Sequence, residues 1–172
     1  MLLSSAALAE ERVDPIEEAN IRYADQVVIR EASADKGWGV FALKPFEANE
    51  LVIRGTALST SSLQDKFSVQ VNWNQHALMD LPARFINHIC FEANLGVRSN
   101  KVGAYDFYAL RRIDEDEELL WDYETTEYEI HGFACRCGTK SCRQSLKGFR
   151  FHGDEILDVY GDNFVAPYLT KK

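Results

Sequence analysis

The residues able to do chemistry fall into four short stretches. Arg84-Phe85-Ile86-Asn87-His88-Ile89-Cys90 brings an amide, an imidazole and a thiol together, with apolar residues threaded between them. A buried amide or imidazole requires hydrogen-bond partners, and a thiolate is a soft metal ligand. Taken alone, the stretch reads more readily as a satisfied core with a buried cysteine than as a site. Cys135, Cys137 and Cys142 form a second cluster, and Cys90 is the remaining cysteine of four. Such a set makes either two disulfides or one metal site. Gly37 and Gly39 flank Trp38, so the backbone there can approach a ligand closely or turn tightly into a strand. Asp122-Tyr123, preceded by Trp121, closes the group with a carboxylate, a phenol and an indole that can only donate.

The rest of the chain must hold these stretches. At 172 residues, 46% hydrophobic and 27% charged, the composition fits one globular domain. The net charge of −8 argues against gripping nucleic acid by counterion release and favours a basic partner such as a lysine-rich peptide. Met1 to Ala9 is an apolar run without a basic flank before it and is followed by Glu10, Glu11 and Arg12, so it is not read as a signal peptide. No stretch is long and apolar enough for a membrane span, so a soluble chain with reduced, metal-binding thiols is expected. Asp14 before Pro15 marks a helix start in an acidic N-terminal extension. Strands are expected at Gln26 to Glu31, Trp38 to Leu43 and Leu51 to Arg54. Phe67, Val69, Val71 and Trp73 alternate with polar residues as one face of another. A helical turn over Arg84 to His88 should follow Pro82, with strands at Tyr105 to Leu110 and Glu118 to Trp121 joined through the solvated acidic turn Asp114 to Glu117. A helix around Asp154 to Tyr160, stopped by Gly161, completes a mainly β fold with few short helices.

The four landmarks, Lys36-Gly37-Trp38-Gly39, Arg84 to Cys90, Glu118 to Tyr123 and Cys135-x-Cys137-x4-Cys142, occur in that order. Together they resemble the SET-domain protein lysine methyltransferases that carry a post-SET zinc motif. The resemblance implies several small sheets with a pseudoknot that joins the Asn-His and Asp-Tyr segments. It implies a SET domain over residues 26–130, a post-SET zinc segment over 131–150 and a tail over 151–172, after an extension over 1–25. It also implies transfer of a methyl group from S-adenosylmethionine to a lysine of a histone or other protein, in an intracellular setting, cytoplasmic or nuclear. The cofactor would meet Lys36, Gly37, Trp38, Gly39, Arg84, Asn87 and His88, with Leu146 or Phe149 stacked on its adenine. Tyr123 would be catalytic and Asp122 structural, while Tyr105, Phe107, Trp121 and Tyr123 would line the lysine channel. An ordinary aromatic core accounts equally for Tyr105 and Phe107.

One structural zinc would take Cys90, Cys135, Cys137 and Cys142, its excess negative charge offset by Arg136, Lys140 and Arg143. A phenol with a pKa of about 10 is a poor base at neutral pH, so Tyr123 is expected to position and stabilise rather than abstract a proton. The target lysine, neutral in roughly one molecule in a thousand, carries a cost of about 4 kcal/mol that a dry channel and a nearby sulfonium would reduce. The chain departs from the family pattern at Ile89, in the stretch Phe91 to Asn94, and around Gly55 to Leu58, where a family tyrosine is missing. That absence leaves a second reading, a non-catalytic SET-like module that keeps cofactor or peptide binding, or a zinc-stabilised interaction protein.

Overall fold

The structure is a computed structural model that describes residues 14–171. The apolar run at Met1 to Ala9 lies outside the described residues. Helix α1 (Pro15–Arg22) starts where Asp14 accepts the Ile16 N–H at 2.8 Å, with proline inside the first turn. Its Ala19 is buried, and Asn20 exchanges hydrogen bonds with both backbone groups of Ile29. The described part of the acidic extension is therefore docked on the sheet that follows it. Strands β1 (Val27–Ser33) and β2 (Gly37–Ala42) form an antiparallel hairpin, and Val27, Ile29, Val40 and Ala42 turn inward.

Next come β3 (Leu51–Arg54), β4 (Ala57–Ser61), β5 (Ser68–Asn72) and β6 (Gln75–Met79). Strands β4, β6 and β5 make a separate three-stranded sheet. The expected strand from Phe67 to Trp73 is shorter at both ends. Val69 is buried, but Phe67 and Trp73 lie just beyond the strand and are 54% and 50% exposed. Trp73 packs edge-on against Tyr128 and Tyr168 at 5.0 and 5.3 Å. Strand β4 gave no pattern to read, because four of its five residues face solvent.

The central sheet adds β7 (Asn87–His88), β8 (Leu95–Ser99), β9 (Tyr105–Ala109) and β10 (Leu120–Trp121), in the order β3-β9-β8-β10-β7. Here one expectation is corrected. The helical turn covers only Ala83–Phe85, Ile86 is extended (φ −69°, ψ 119°), and Asn87–His88 is a strand. Pairing with Leu120 and Trp121 satisfies that backbone better than one more turn would. Phe46, Ile53, Ile86, Leu95, Phe107, Ile113 and Leu119 fill the core between these layers.

Strands β11 (Phe133–Ala134) and β12 (Ser145–Leu146) pair antiparallel, and helices α2 (Phe149–Tyr160) and α3 (Pro167–Thr170) close the chain. Helix α2 begins five residues earlier than its sequence suggests, because no side chain caps it. Instead the Phe149 and Arg150 N–H groups donate to the Glu127 and Tyr128 carbonyls, and the Lys147 and Gly148 N–H groups donate to Glu124. Gly161, at φ +70°, ends it as expected. Among the described residues, no helix is long and apolar enough to cross a membrane.

Candidate active site

The site is built where β10 runs in parallel between β7 and β8, pairing Leu120 with Asn87, Trp121 with His88 and Trp121 with Leu95. Asn94, in the irregular stretch after Cys90, fixes this crossing. Its amide donates to the Glu118 carbonyl at 2.8 Å and its oxygen accepts the Leu120 N–H at 2.8 Å. The side chain is 2% exposed, so each of these bonds is made in a dry environment where an unmade one is costly. The Asn-His and Asp-Tyr segments are thereby held side by side.

Tyr123 leaves the end of β10 and donates its hydroxyl to the Ile86 carbonyl at 3.0 Å. Its backbone N–H donates to His88 Nδ1 at 3.2 Å, which assigns the proton of the neutral ring to Nε2, 3.2 Å from the Cys90 sulfur. Burial pushes the His88 imidazole down to about 4, against the pull of the Asp122 carboxylate, so the ring is neutral at physiological pH. Burial, with a smaller contribution from the charge of Glu118, pushes the Tyr123 phenol well above its ordinary value. The phenol is a donor here and not a base. Its ring meets Trp121 at 5.0 Å, His88 at 5.1 Å and Phe133 at 6.0 Å.

Tyr123, Trp121 and Phe133 line a cavity of about 540 Å³, together with Arg84, Ile86 and Glu127. That volume suits a small-molecule or side-chain site. Among the described lining residues Tyr123 bears the one phenol, so no second tyrosine takes the place left empty near Gly55. Tyr105 and Phe107 are fully buried and are not on this wall. Phe107 backs Trp121 edge-on at 5.6 Å, and Tyr105 donates to the Gln70 carbonyl.

Asp122 is 1% exposed and accepts from the Glu124 and Phe91 N–H groups, the Tyr160 hydroxyl and both terminal nitrogens of Arg143, at 2.9 and 2.8 Å. The Arg143 side chain is itself buried, 3.7 Å above the Phe91 ring and 3.4 Å from Glu124. His152 Nδ1 lies 2.6 Å from the same Glu124. This network fixes the backbone on both sides of Tyr123 and gives Asp122 a structural role.

On the hairpin side, the Asn87 amide donates to the Trp38 carbonyl and to Glu118 Oε1, both at 3.0 Å, and Lys36 pairs with Glu118 Oε2 at 3.0 Å. Gly39 is required by this closeness. A methyl group there would stand 2.9 Å from both the Ala32 Cβ and Glu118 Oε1 and 3.2 Å from Asn87 Nδ2. Trp38 presents a half-exposed ring beside this polar cluster. The geometry thus unites Lys36, Gly37, Trp38, Gly39, Asn87 and His88, while Arg84 reaches the cavity. Leu146 is 1% exposed and packs with Cys90 and Cys135, and Phe149 packs with Ile156 and Tyr160 in a separate cluster. Phe133, Glu118 and Asn94 were missed by sequence reasoning. Phe133 lies two residues before Cys135 and opposite Leu146, a position that only the β11-β12 pairing exposes.

The four cysteine sulfurs lie within 4.8 Å of one another, with Cys90 and Cys135 3.7 Å apart, and all four thiols are free. Tetrahedral zinc with Zn–S bonds of about 2.3 Å places sulfurs about 3.8 Å apart, so the donor set fits that ion. The Arg143 and Gln144 N–H groups point at the Cys90 and Cys142 sulfurs at 3.5 and 3.4 Å. Burial, helped by the charge of Cys137 and opposed by Arg143 and Cys135, pushes the Cys90 thiol up to about 11, a penalty that a bound dication would reverse.

Comparison with known proteins places this geometry. The SET domain family matches residues 37–124. The chain is 28% identical over 141 residues to the histone-lysine N-methyltransferase ash1 of Drosophila melanogaster, covering 70% of this chain and 6% of that one. It is 30% identical over 130 residues to the histone-lysine N-methyltransferase SETD1A of Homo sapiens, covering 63% and 7%. With the H3 lysine-4 specific histone-lysine N-methyltransferase of Kluyveromyces lactis it shares 31% over 138 residues, 66% of this chain and 14% of that one. The chain thus spans a small fraction of these relatives. The crystal structure of KRYPTONITE in complex with mCHG DNA and SAH has the same fold, with a TM-score of 0.55 at 24% identity over 69% of this chain and 28% of that one. The family match covers the glycine strand β2, the Asn-His strand and Tyr123 together, and on it the chain belongs to the SET-domain family.

Proposed function

We propose that this chain is a protein lysine methyltransferase that uses S-adenosylmethionine as methyl donor and a histone or other protein lysine as acceptor. The observation that carries the reading is the protonated phenol of Tyr123, held against the Ile86 carbonyl in the wall of an aromatic cavity of about 540 Å³. S-adenosylmethionine supplies, when bound, a methyl group activated on a sulfonium. Lys36, Gly37, Trp38, Gly39, Asn87 and His88 would hold it on the hairpin side, with Arg84 from the cavity. Phe133, 40% exposed, is the aromatic of the cysteine segment with a free face for a ring, since Leu146 has none.

The chain's own contribution is alignment and exclusion of water. Trp121, Tyr123 and Phe133 make one side of the cavity apolar, and apolar surroundings disfavour the charged form of a lysine entering against that side. The Tyr123 hydroxyl offers a fixed dipole beside the reacting nitrogen, and a fixed dipole needs no reorganisation as charge moves. Cys90, Cys135, Cys137 and Cys142 would hold one zinc ion in a structural role, tying the segment that carries Phe133 and Arg143 to His88 and Asp122. The expected setting is intracellular, where the thiols stay reduced.

Incubation with methyl-labelled S-adenosylmethionine and a panel of lysine peptides tests the reading. Label on the lysine nitrogen is the expected result. Tight cofactor binding with no label on any peptide or protein would instead identify a non-catalytic binding module.

A further inference from the structure

Glu127 follows Tyr123 by one turn, its N–H donating to the Tyr123 carbonyl at 3.1 Å, and its side chain lines the same cavity. The residue is 6% exposed. Its Oε1 accepts the Gln70 N–H at 2.6 Å and its Oε2 accepts from Gln64 Nε2 at 2.9 Å. Both partners are neutral, and among the described residues no cation pairs with it. With Thr126 also bonded to it, a carboxylate's roughly four acceptor sites are not all used. Burying an acid without a counter-charge is costly unless a cation arrives. Asp65 lines the same cavity at its exposed side, and Lys66 and Arg84 line it too, neither of which pairs with Glu127. The phenol and the carboxyl are anchored on different elements, Ile86 and β5, so a ligand filling the cavity meets both.

We infer that Glu127 is a subsite for a second basic side chain of the substrate, an arginine or lysine close to the lysine that is methylated. The inference rests on the proposed methyltransferase function and names the substrate class: basic protein segments with clustered positive charge. The chain's net charge of −8 favours the same partners. Burial, opposed by the bonds from Gln70, Gln64 and Thr126, raises the Glu127 carboxyl to about 7 in the free protein. The Tyr105 and Tyr168 phenols, which burial keeps neutral, face it, and Asp65, Lys66, Arg84, Tyr123 and His131 line the same cavity. An entering cation would therefore meet a group ready to ionise near neutral pH.

The test is a binding scan by fluorescence anisotropy. Peptides carry one central lysine and either arginine or glutamine at each flanking position in turn, against the full chain. Arginine should strengthen binding about tenfold at one position at pH 8, and Glu127→Gln should abolish that preference. In the unaltered protein the preference should fade at pH 5.5, a readout that holds even where the variant folds poorly. Equal binding of arginine and glutamine peptides at every position overturns the subsite, and so does a preference that survives Glu127→Gln. Arginine preference without methyl transfer would leave the subsite standing and remove the enzyme, whereas transfer without preference would do the reverse.

Discussion

Glu127 offers a stability prediction whose size follows from its surroundings. Burial raises its carboxyl from the ordinary 4.5 to about 7, while the bonds from Gln70, Gln64 and Thr126 pull the other way. A carboxyl whose folded-state value exceeds its unfolded value stabilises the fold while protonated in both states, below pH 4.5. That advantage is lost as pH rises through 7, because the unfolded chain ionises first. At 1.36 kcal/mol per pKa unit the full loss is about 3 kcal/mol, most of which falls between pH 5 and 8. Glu127→Gln preserves the shape and the acceptor for the Gln70 N–H, and removes the titration. Urea unfolding of both proteins from pH 5 to 8.5 isolates this one group, since every other ionisation is common to the two. The unaltered protein should lose about 2–3 kcal/mol relative to the variant across that range. A difference that does not change with pH would show that Glu127 ionises normally in the folded state, and would refute the reasoning about its burial.

Three further predictions concern the supports of the site. Cys90→Ser should lower zinc content, measured by metal analysis, from about one ion per chain toward none; unchanged content would remove Cys90 from the cluster. Arg143→Met leaves Asp122 and Glu124 buried without their cation and should cost about 3–5 kcal/mol in urea unfolding. The exposed Arg112→Met should cost far less, and equal losses would contradict the buried network. Gly39→Ala forces a methyl group to 2.9 Å from Glu118 Oε1, so calorimetry should show S-adenosylmethionine binding weakened about tenfold or more, at about 1–3 kcal/mol of stability. Unaltered binding would separate the Asn87–Glu118 contact from the cofactor site.

Local signals were legible and non-local ones were not. Asp14-Pro15 and Gly161 announce helix ends because the capping geometry is written in adjacent residues. The start of α2 was hidden, since its first donors are satisfied by Glu127 and Tyr128 across the fold. Arg84 to Cys90 was recognisable by residue type, yet its backbone conformation depends on a parallel partner far along the chain, and parallel pairing leaves no local turn signature. The four cysteines were readable as one site because thiols have few other uses together in a reduced chain. Glu118, Asn94, Phe133 and Glu127 were not, because an acid, an amide or a ring acquires meaning only from what folds against it. Tyr105 and Phe107 show the same limit from the other side: alternation placed them on one face but could not say whether that face bounds a channel or the core.

The central claim is that the Tyr123 hydroxyl serves methyl transfer. Tyr123→Phe removes the donor to the Ile86 carbonyl and keeps the ring packing, at a stability cost of about 1 kcal/mol. The decisive measurement is single-turnover transfer to a lysine peptide beside calorimetric binding of S-adenosylmethionine, on both proteins. Transfer should fall roughly a hundredfold or more while cofactor affinity stays within about threefold. Undiminished transfer by the phenylalanine variant, or an equal loss of transfer and cofactor binding, would contradict the account.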